Sequence, residues 1–299
     1  LAPLAGWTKV TNAQSLLSRC YKLTSVDLTP LAGCINVTNA SILLSNCSGL
    51  TSVDLAPLAG WTKVTNASYL LQSCSVLTSV DLTPLAGWVN VTNASNLLYS
   101  CSGLTSVDLT PLAGWVNVTD ASYLLYRCSG LTSVDLTPLT GWTKVTRLSY
   151  LLRECSKLTS VDLSPFARMT KVTSMSAICS GCSVLEKVKG EEFENLINIT
   201  EEGNAFYNCK KLQSIHLPIG YSKLGSYSYG GCPSLKYIKS RKAVPHTIES
   251  TTFDNSNNCP IYVPDESVDA YRTATNWTAI ADRIKPMSQF AIDFPEEEV

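Results

Sequence analysis

Twelve cysteines have the greatest capacity for chemistry in this 299-residue sequence, and ten of them follow a regular spacing. The ten are Cys20, Cys47, Cys74, Cys101, Cys128, Cys155, Cys182, Cys209, Cys232 and Cys259. Such a set could form disulfides, and Cys179 with Cys182 makes a CxxC pair that could act as a redox or metal site. Because the regular cysteines hold one apolar position of a repeat, we interpret them as a ladder of buried free thiols. Bridging of some of them is the alternative, and the CxxC pair is interpreted as core, since no nearby histidine completes a zinc site.

Six aspartates recur at one constant spacing and form the most regular charged feature. This Asp row consists of Asp27, Asp54, Asp81, Asp108, Asp135 and Asp162. Stacked like charges repel, so the row needs a compensating interaction. We expect hydrogen bonds from turn amides and from the hydroxyls of Ser25, Thr29 and their equivalents, with a cation or cationic ligand as the alternative. The row continues as Lys189, His216 and Lys239, which predicts a face that is acidic toward the N terminus and basic toward the C terminus.

Motifs of catalysis are not found in the sequence. The two histidines, His216 and His246, fall on a predicted strand and in a loop, and there is no GxSxG, HExxH, P-loop or GxGxxG pattern. We therefore expect a protein without enzymatic activity, metal or cofactor.

A 27-residue repeat positions all of these side chains. Its clearest stretch, LTSVDL at 23–28, returns five times, and self-similarity at such a period is typical of a solenoid. Val26 and Leu28 lie two residues apart and share the inner side of a predicted strand, whereas Ser25 and Asp27 point outward.

The stretch before each strand predicts a short helix on the other side of the unit. Ala13, Leu16, Leu17 and Cys20 are apolar at i, i+3, i+4 and i+7, which indicates one face of a helix of about two turns. The preceding Thr-Asn pair supplies candidate N-caps. Because neither element can bury its apolar face alone, successive units must stack, with parallel strands about 4.8 Å apart.

The unit resembles a leucine-rich repeat, and its details resemble the BspA-like subfamily of bacterial surface proteins. The resemblance lies in LTSVDLTPL, in VTNAS, in AFYNCKKLQSIHLP at 205–218, and in IYVPDESVDAYRTATNWTAIADRIKPM from residue 261, which is similar to a terminal module of that family. It implies an α/β solenoid of right-handed leucine-rich repeats, with a parallel β-sheet on one face, short helices on the other and a C-terminal cap.

Four segments are expected along the chain. They are regular repeats at 1–192, degenerate repeats at 193–260, a capping strand and helices at 261–288, and an acidic tail at 289–299 that we expect to be mobile. Trp277 should cover the open end of the core, as a terminal cap must.

Aromatic residues form two further rows. The first is Trp7, Trp61, Trp88, Trp115 and Trp142, which we expect to be buried because Cys34 and Met169 take the same position in other repeats. The second, on the predicted helices, is Tyr69, Tyr99, Tyr123, Tyr126 and Tyr150. Exposed tyrosines suit contacts with a protein partner, although a solvent-exposed surface whose sequence varies without a function is the simpler interpretation.

Composition excludes several classes of function. A net charge of −1 leaves no basic surface for nucleic acid. No apolar run is long enough to cross a bilayer as a helix, so no membrane span is expected. Leu1 stands in the register of Leu28, so the sequence opens in mid-repeat, and an export or anchoring segment is expected outside it.

The resemblance implies a bacterial cell-surface or secreted protein that mediates adhesion or protein–protein interaction with host or extracellular-matrix components. The Asp row and the five tyrosines are its candidate partner-binding surface. The alternative is a glycan-binding module that uses the repeated aromatic residues, and a structural spacer that binds nothing stays open.

Overall fold

A computed structural model describes Leu4 and residues 6–190, 193–200 and 203–297. Successive repeats stack in sequence order, and every strand pairing is parallel. Isolated parallel bridges join one position of each regular repeat to the next, and they run through Asn12, Asn39, Asn66, Asn93, Asp120, Arg147 and Ser174. The threonine before each bridge adds a second link, as in Thr38, whose hydroxyl donates to the carbonyl of Thr11 at 3.1 Å.

The helix predicted over 13–20 is not formed. The amides of Ala13 and Leu17 donate to the carbonyls of Asn39 and Leu43 in the next repeat, both at 2.9 Å, whereas an α-helix would bond each amide to the carbonyl four residues earlier. Ser15, in the same stretch, has a φ of 61°, which is left-handed backbone. We call this stretch of each repeat the turn run.

The apolar spacing correctly predicted which side chains are buried, but it wrongly predicted a helical backbone. In the second repeat, Ala40, Leu43, Leu44 and Cys47 are all fully buried. The turn run points these side chains inward and bonds its alternate amides to the following repeat. Packing and inter-repeat hydrogen bonds therefore override the helical periodicity here.

Short 3₁₀ helices follow the LTSVDL stretches, with proline at their second position. They are Thr29–Leu31, Ala56–Leu58, Thr83–Leu85, Thr110–Leu112, Thr137–Gly141 and Ser164–Arg168. Further 3₁₀ helices are Asp265–Ser267, Trp277–Arg283, Met287–Gln289 and Pro295–Glu297. The α-helices are α1 (Val268–Thr273) and α2 (Phe290–Asp293).

Regular strands occur in the C-terminal half. They are β1 (Ser160–Asp162), β2 (Lys187–Lys189), β3 (Ser214–His216), β4 (Lys223–Leu224), β5 (Tyr237–Lys239), β6 (Thr247–Ile248), β7 (Ile261–Val263) and β8 (Ile284–Pro286). Strand β1 pairs with β2, β4 pairs with β6, and the four-stranded sheet has the order β3-β5-β7-β8. In earlier repeats the equivalent stretch makes sparse bonds, such as the Thr51 amide to the Thr24 carbonyl at 3.1 Å.

The predicted fold class, a leucine-rich-repeat solenoid with parallel strands, short helices and a C-terminal cap, is confirmed. The short helices of the regular repeats are 3₁₀ turns, and they begin directly after the LTSVDL stretch. Proline explains their position, because it fixes φ in the helical range and lacks the amide that a sheet would need.

A column of indoles runs through the core. Trp61, Trp88, Trp115 and Trp142 are fully buried and stack with ring centroids 6.2–6.5 Å apart. Each indole nitrogen donates to a leucine carbonyl of the preceding repeat, at 3.0–3.1 Å. Burial was correctly predicted for these four and wrongly for Trp7, which is 52% exposed.

The cysteines form a second column. All twelve are free, and all except Cys20 are buried, which confirms the predicted thiol ladder. The thiol of Cys101 donates to the Leu71 carbonyl at 3.1 Å, and burial raises the pKa of this thiol to about 12. Cys179 and Cys182 of the CxxC pair are both fully buried. These thiols act as core side chains, since a reactive cysteine needs exposure and a lowered pKa.

The repeat becomes shorter in the four-stranded sheet, where Ile238 lies beside Ile261 and Ile261 beside Ile284. The cap closes the core beyond it. Trp277 is fully buried and donates to the His246 carbonyl at 2.7 Å. Arg283 donates to the Cys259 carbonyl at 2.9 Å.

The tail expected to be mobile is instead packed, as far as it is described. Residues 289–297 contain α2, and Phe290 is buried against the outer side of the four-stranded sheet. The acidic residues dominated the interpretation of this segment, so the two phenylalanines that anchor it, Phe290 and Phe294, were overlooked.

Candidate functional site

The Asp row lies on the outward side of the strand stretches, which we call the strand face. All six aspartates are exposed. In each, Oδ1 accepts the backbone amide two residues later, at 2.8–2.9 Å, as in Asp81 with Thr83. Each carboxylate thereby forms the turn that starts the 3₁₀ helix.

Hydrogen bonding favours the charged form of four of these carboxylates. The side-chain and backbone hydrogen bonds of Thr83 lower the pKa of Asp81, and the equivalent bonds lower the pKa values of Asp27, Asp108 and Asp162. Lys189, opposite Asp162 across β1 and β2, also lowers the pKa of that aspartate. The row is therefore anionic and turn-forming, and its exposure leaves it accessible to a partner.

The turn runs hold the predicted tyrosines on two adjacent columns. Tyr69, Tyr123 and Tyr150 take the left-handed position, with φ of 59–64°, and Tyr99 and Tyr126 lie three residues beyond that position in their own repeats. All are half-buried except Tyr126, which is buried. The structure thus places them on a less open surface than an exposed helix face.

Four of the five tyrosines meet in one cluster. Tyr99 stacks on Tyr126 with centroids 4.7 Å apart, and Tyr123 stacks on Tyr150 at 4.5 Å. The two pairs touch through Tyr123 and Tyr126 at 5.6 Å. Tyr69 lies two repeats before Tyr123, with Asn96 at the position between them, so it stands apart.

Two arginines and a glutamate complete this cluster. The guanidinium of Arg153 lies 5.7 Å and 5.6 Å from the ring centroids of Tyr126 and Tyr150, and that of Arg127 lies 5.3 Å from Tyr126. Glu154 Oε2 accepts a hydrogen bond from Arg127 Nε, with the two atoms 2.6 Å apart. We call Tyr99, Tyr123, Tyr126, Tyr150, Arg127, Arg153 and Glu154 the tyrosine–arginine cluster.

The electrostatics of this cluster follow from burial and pairing. Burial raises the pKa values of Tyr123 and Tyr126, so both phenols stay protonated at neutral pH. The hydrogen bond to Glu154 raises the pKa of Arg127. Arg153 Nε lies 3.4 Å from Glu154, which is an ion pair without hydrogen-bond geometry. The cluster therefore combines neutral aromatic rings with a net positive charge.

Sequence reasoning missed the three charged members of the cluster. Arg153 stands one repeat period after Tyr126, and Glu154 stands one period after Arg127. Stepping one period from Tyr126 gives Arg153, which continues a tyrosine column, whereas Arg127 and Glu154 form a separate column beside it. The tyrosines were predicted, and the repeat period is the signal that could have found Arg153.

A groove of about 560 Å³ runs along the repeats and passes Arg127 and Glu154 of the cluster. Its walls include Ser75, Ser102 and Ser129, with Arg127 and Glu154 toward one end. The groove is shallow and open, so it suits an extended surface contact better than an enclosed small molecule.

Within the described ranges, no three histidine, cysteine, aspartate or glutamate side chains lie close enough to hold a metal ion. His246 is buried, its Nε2 lies 2.8 Å from the Pro218 carbonyl, and burial lowers its pKa to about 4. His216 lies on β3, opposite Lys239. Within the same ranges, no helix has the length and apolarity that a membrane span requires.

Comparison with known proteins gives a family and several solved structures. The family model for the BspA type leucine rich repeat region matches residues 176–274 in six copies. A comparison with curated proteins found no match. A leucine-rich repeat protein from Bacteroides ovatus is 18% identical, with 93% of this chain and 87% of that chain covered and a TM-score of 0.32.

Two further solved structures are similar at the same level. A leucine rich cell surface protein from Faecalibacterium prausnitzii is 15% identical, with 88% of this chain and 84% of that chain covered and a TM-score of 0.34. An internalin from Listeria monocytogenes is 17% identical, with coverages of 75% and 83% and a TM-score of 0.22. Because these TM-scores are below 0.5, the assignment depends on the family match and the repeat fold. On that evidence, residues 176–274 are a leucine-rich-repeat region of the BspA type.

Proposed function

We propose that this chain is a non-enzymatic bacterial cell-surface or secreted protein that binds a protein partner, in adhesion to host or matrix components, through the tyrosine–arginine cluster. The observation that carries the proposal is the cluster itself, in which four tyrosines and two arginines share one partly exposed surface. Tyrosine and arginine are enriched at protein interfaces and among the residues that dominate binding energy. The adjoining groove extends the area available to a partner.

Ring geometry favours a protein over a glycan. A sugar platform needs an open aromatic face, but the tyrosines stack on each other at 4.5–4.7 Å and the guanidinium of Arg153 lies over two of them. The tryptophan column is unsuited as well, because Trp61 through Trp142 are buried. Ring edges and hydroxyl groups are left for contact, and these suit a protein surface.

The Asp row is the second contact surface of the proposal. Six exposed carboxylates along one face attract a basic partner, and their attraction is screened by salt. A partner that touches the row would bind more weakly at high ionic strength, whereas contact through the tyrosines depends less on salt.

The test is binding of the purified chain to arrays of extracellular-matrix proteins and of glycans at low and high salt. We expect saturable binding to a protein, weakened at least tenfold by Y123S/R153A. Y69S is the matched control, because Tyr69 occupies the same position of the repeat outside the cluster. Binding to glycans alone would contradict the proposal. Equal binding by both variants would show that the cluster is not the binding surface.

A further inference from the structure

Residues 287–297 lie on the outward side of the four-stranded sheet, at the end of the strand face opposite the Asp row. The ring of Phe290 meets those of Tyr237 and Tyr262 edge-on, with centroids 4.8 Å and 5.1 Å apart. Phe294 lies 4.8 Å from Tyr237 and 6.1 Å from Tyr262. Two strands thus present two tyrosines to two phenylalanines of the same segment.

Charged groups match across the same contact. Lys285 Nζ donates to Asp293 Oδ2 at 2.7 Å, and the Tyr262 hydroxyl donates to the same oxygen at 2.5 Å. Lys239 Nζ lies 3.3 Å from the ring centroid of Phe290. The Tyr237 hydroxyl also donates to Glu297 Oε2 at 3.3 Å. The sheet therefore contributes two ammonium groups and two phenol rings, and the segment contributes two carboxylates and two apolar rings.

The contact forms a hydrophobic cluster of its own. Tyr237, Tyr262 and Phe290, with Met287 and Phe294 at their edge, are separate from the main core. The end of the main core is covered by Trp277 and Ile284, which belong to the main cluster. The end of the main core is thus covered without residues 287–297. The segment is joined to the cap at Ser288, whose amide donates to Asp265 Oδ1 at 2.9 Å, and beyond that point it occupies an external site.

The segment has the pattern of a helical recognition peptide. Phe290, Asp293 and Phe294 stand at i, i+3 and i+4, which places them on one side of a helical turn. Ile292, on the other side, is 71% exposed. One side of a short helix therefore contacts the sheet, as amphipathic helices do when they bind in grooves.

We propose that Tyr237, Lys239, Tyr262 and Lys285 form a docking site for a partner polypeptide with a short Phe-x-x-Asp-Phe helix, and that residues 287–297 occupy this site as an intramolecular competitor. The site lies in other repeats than the tyrosine–arginine cluster and does not depend on the function proposed for that cluster. A tethered segment reaches effective concentrations of about millimolar. A free peptide therefore binds the intact chain weakly and binds strongly once the segment is released.

The test uses the full-length chain and a fluorescein-labelled peptide with the sequence of residues 286–297, followed by fluorescence anisotropy. The F290A/F294A variant releases the segment and leaves the site unchanged. We expect it to bind the peptide at least tenfold more tightly than the parent chain. Adding K285E should remove at least tenfold of that affinity, and a peptide with both phenylalanines replaced by alanine should not bind. I292A, on the exposed side of α2, is the matched control and should behave as the parent chain.

Three results would overturn the proposal. A folded F290A/F294A variant with no gain in affinity would show that the site is not a docking site. Loss of hydrogen-exchange protection in α1 of that variant would show that the segment is part of the cap. Equal binding of a scrambled peptide would reduce the contact to non-specific charge attraction.

Discussion

The regular repeats and the C-terminal repeats hold their neighbours by different interactions. Before β1, aspartate follows aspartate along the strand face, and none of the residues described there forms a paired strand. Pairing begins between β1 and β2, where Asp162 lies opposite Lys189. Opposite charges across strands stabilise pairing and like charges oppose it. The difference indicates that strand hydrogen bonds form where the Asp row ends, while buried columns hold the regular repeats together.

The two regions also differ in how replaceable their parts are. The repeats that contain Trp61, Trp88, Trp115 and Trp142 offer their neighbours the same indole, thiol and leucines, so one of these units can replace another. The C-terminal region relies on single contacts, such as Trp277 with the His246 carbonyl and Arg283 with the Cys259 carbonyl. Nearest-neighbour stability is expected in the first region and mutual dependence in the second.

The largest effect should come from deleting one repeat in each region. Removal of residues 239–261 keeps the register of the strands but takes away the carbonyls that hold Trp277 and Arg283, so we expect the cap to unfold. Removal of residues 82–108 joins Asp81 to Leu109 in an unchanged sequence pattern and should leave a folded chain. Circular dichroism and hydrogen exchange of α1 would report both outcomes. Equal tolerance of the two deletions would break the comparison.

Truncating one indole of the buried column should cost less than losing the cap. W115A removes a ring stacked between Trp88 and Trp142 and one of the two hydrogen bonds that the Leu85 carbonyl accepts. We expect a loss of about 3–5 kcal/mol in the free energy of unfolding, measured by denaturant titration. W7A, at an exposed indole, should change it by less than about 0.5 kcal/mol. A small effect of W115A would show that the columns do not hold the regular repeats.

The repeat period, the buried columns and the cap could be predicted because each depends on the type and spacing of side chains. The backbone conformation of the repeats could not be predicted in this way. The apolar positions 13, 16, 17 and 20 satisfy both a helix and the turn run, and inter-repeat hydrogen bonds decide between them. The tyrosine columns were visible in the sequence, whereas the stacking of Tyr123 on Tyr150 depends on the rise between repeats. The docking of residues 287–297 was hidden, since no periodic signal connects Phe290 to Tyr237.

Acid should weaken the C-terminal region selectively, because both histidines lie there. Burial lowers the pKa of His246 from 6.5 to about 4. Its contribution is complete above pH 6.5 and is lost as the pH falls toward 4, since the unfolded chain takes up the proton first. We expect a loss of at most about 3 kcal/mol across this range. Hydrogen exchange of α1 measures it, H246Q should flatten the profile, and H216Q should not. An equal loss of protection in the regular repeats would contradict this expectation.

The smallest effect tests the charge argument on the strand face. D81N/D135N keeps the side-chain oxygens that accept the amides of Thr83 and Thr137 but removes alternate charges of the Asp row. We expect a slight rise in the thermal unfolding midpoint at low salt, which disappears at high salt as screening replaces the lost repulsion. D162N is the matched control, because it removes the charge opposite Lys189 and should lower the midpoint slightly. If D81N/D135N lowered it as well, like-charge repulsion could not explain why strand pairing begins at β1, and the 3₁₀ turns that follow the regular stretches would be the remaining cause.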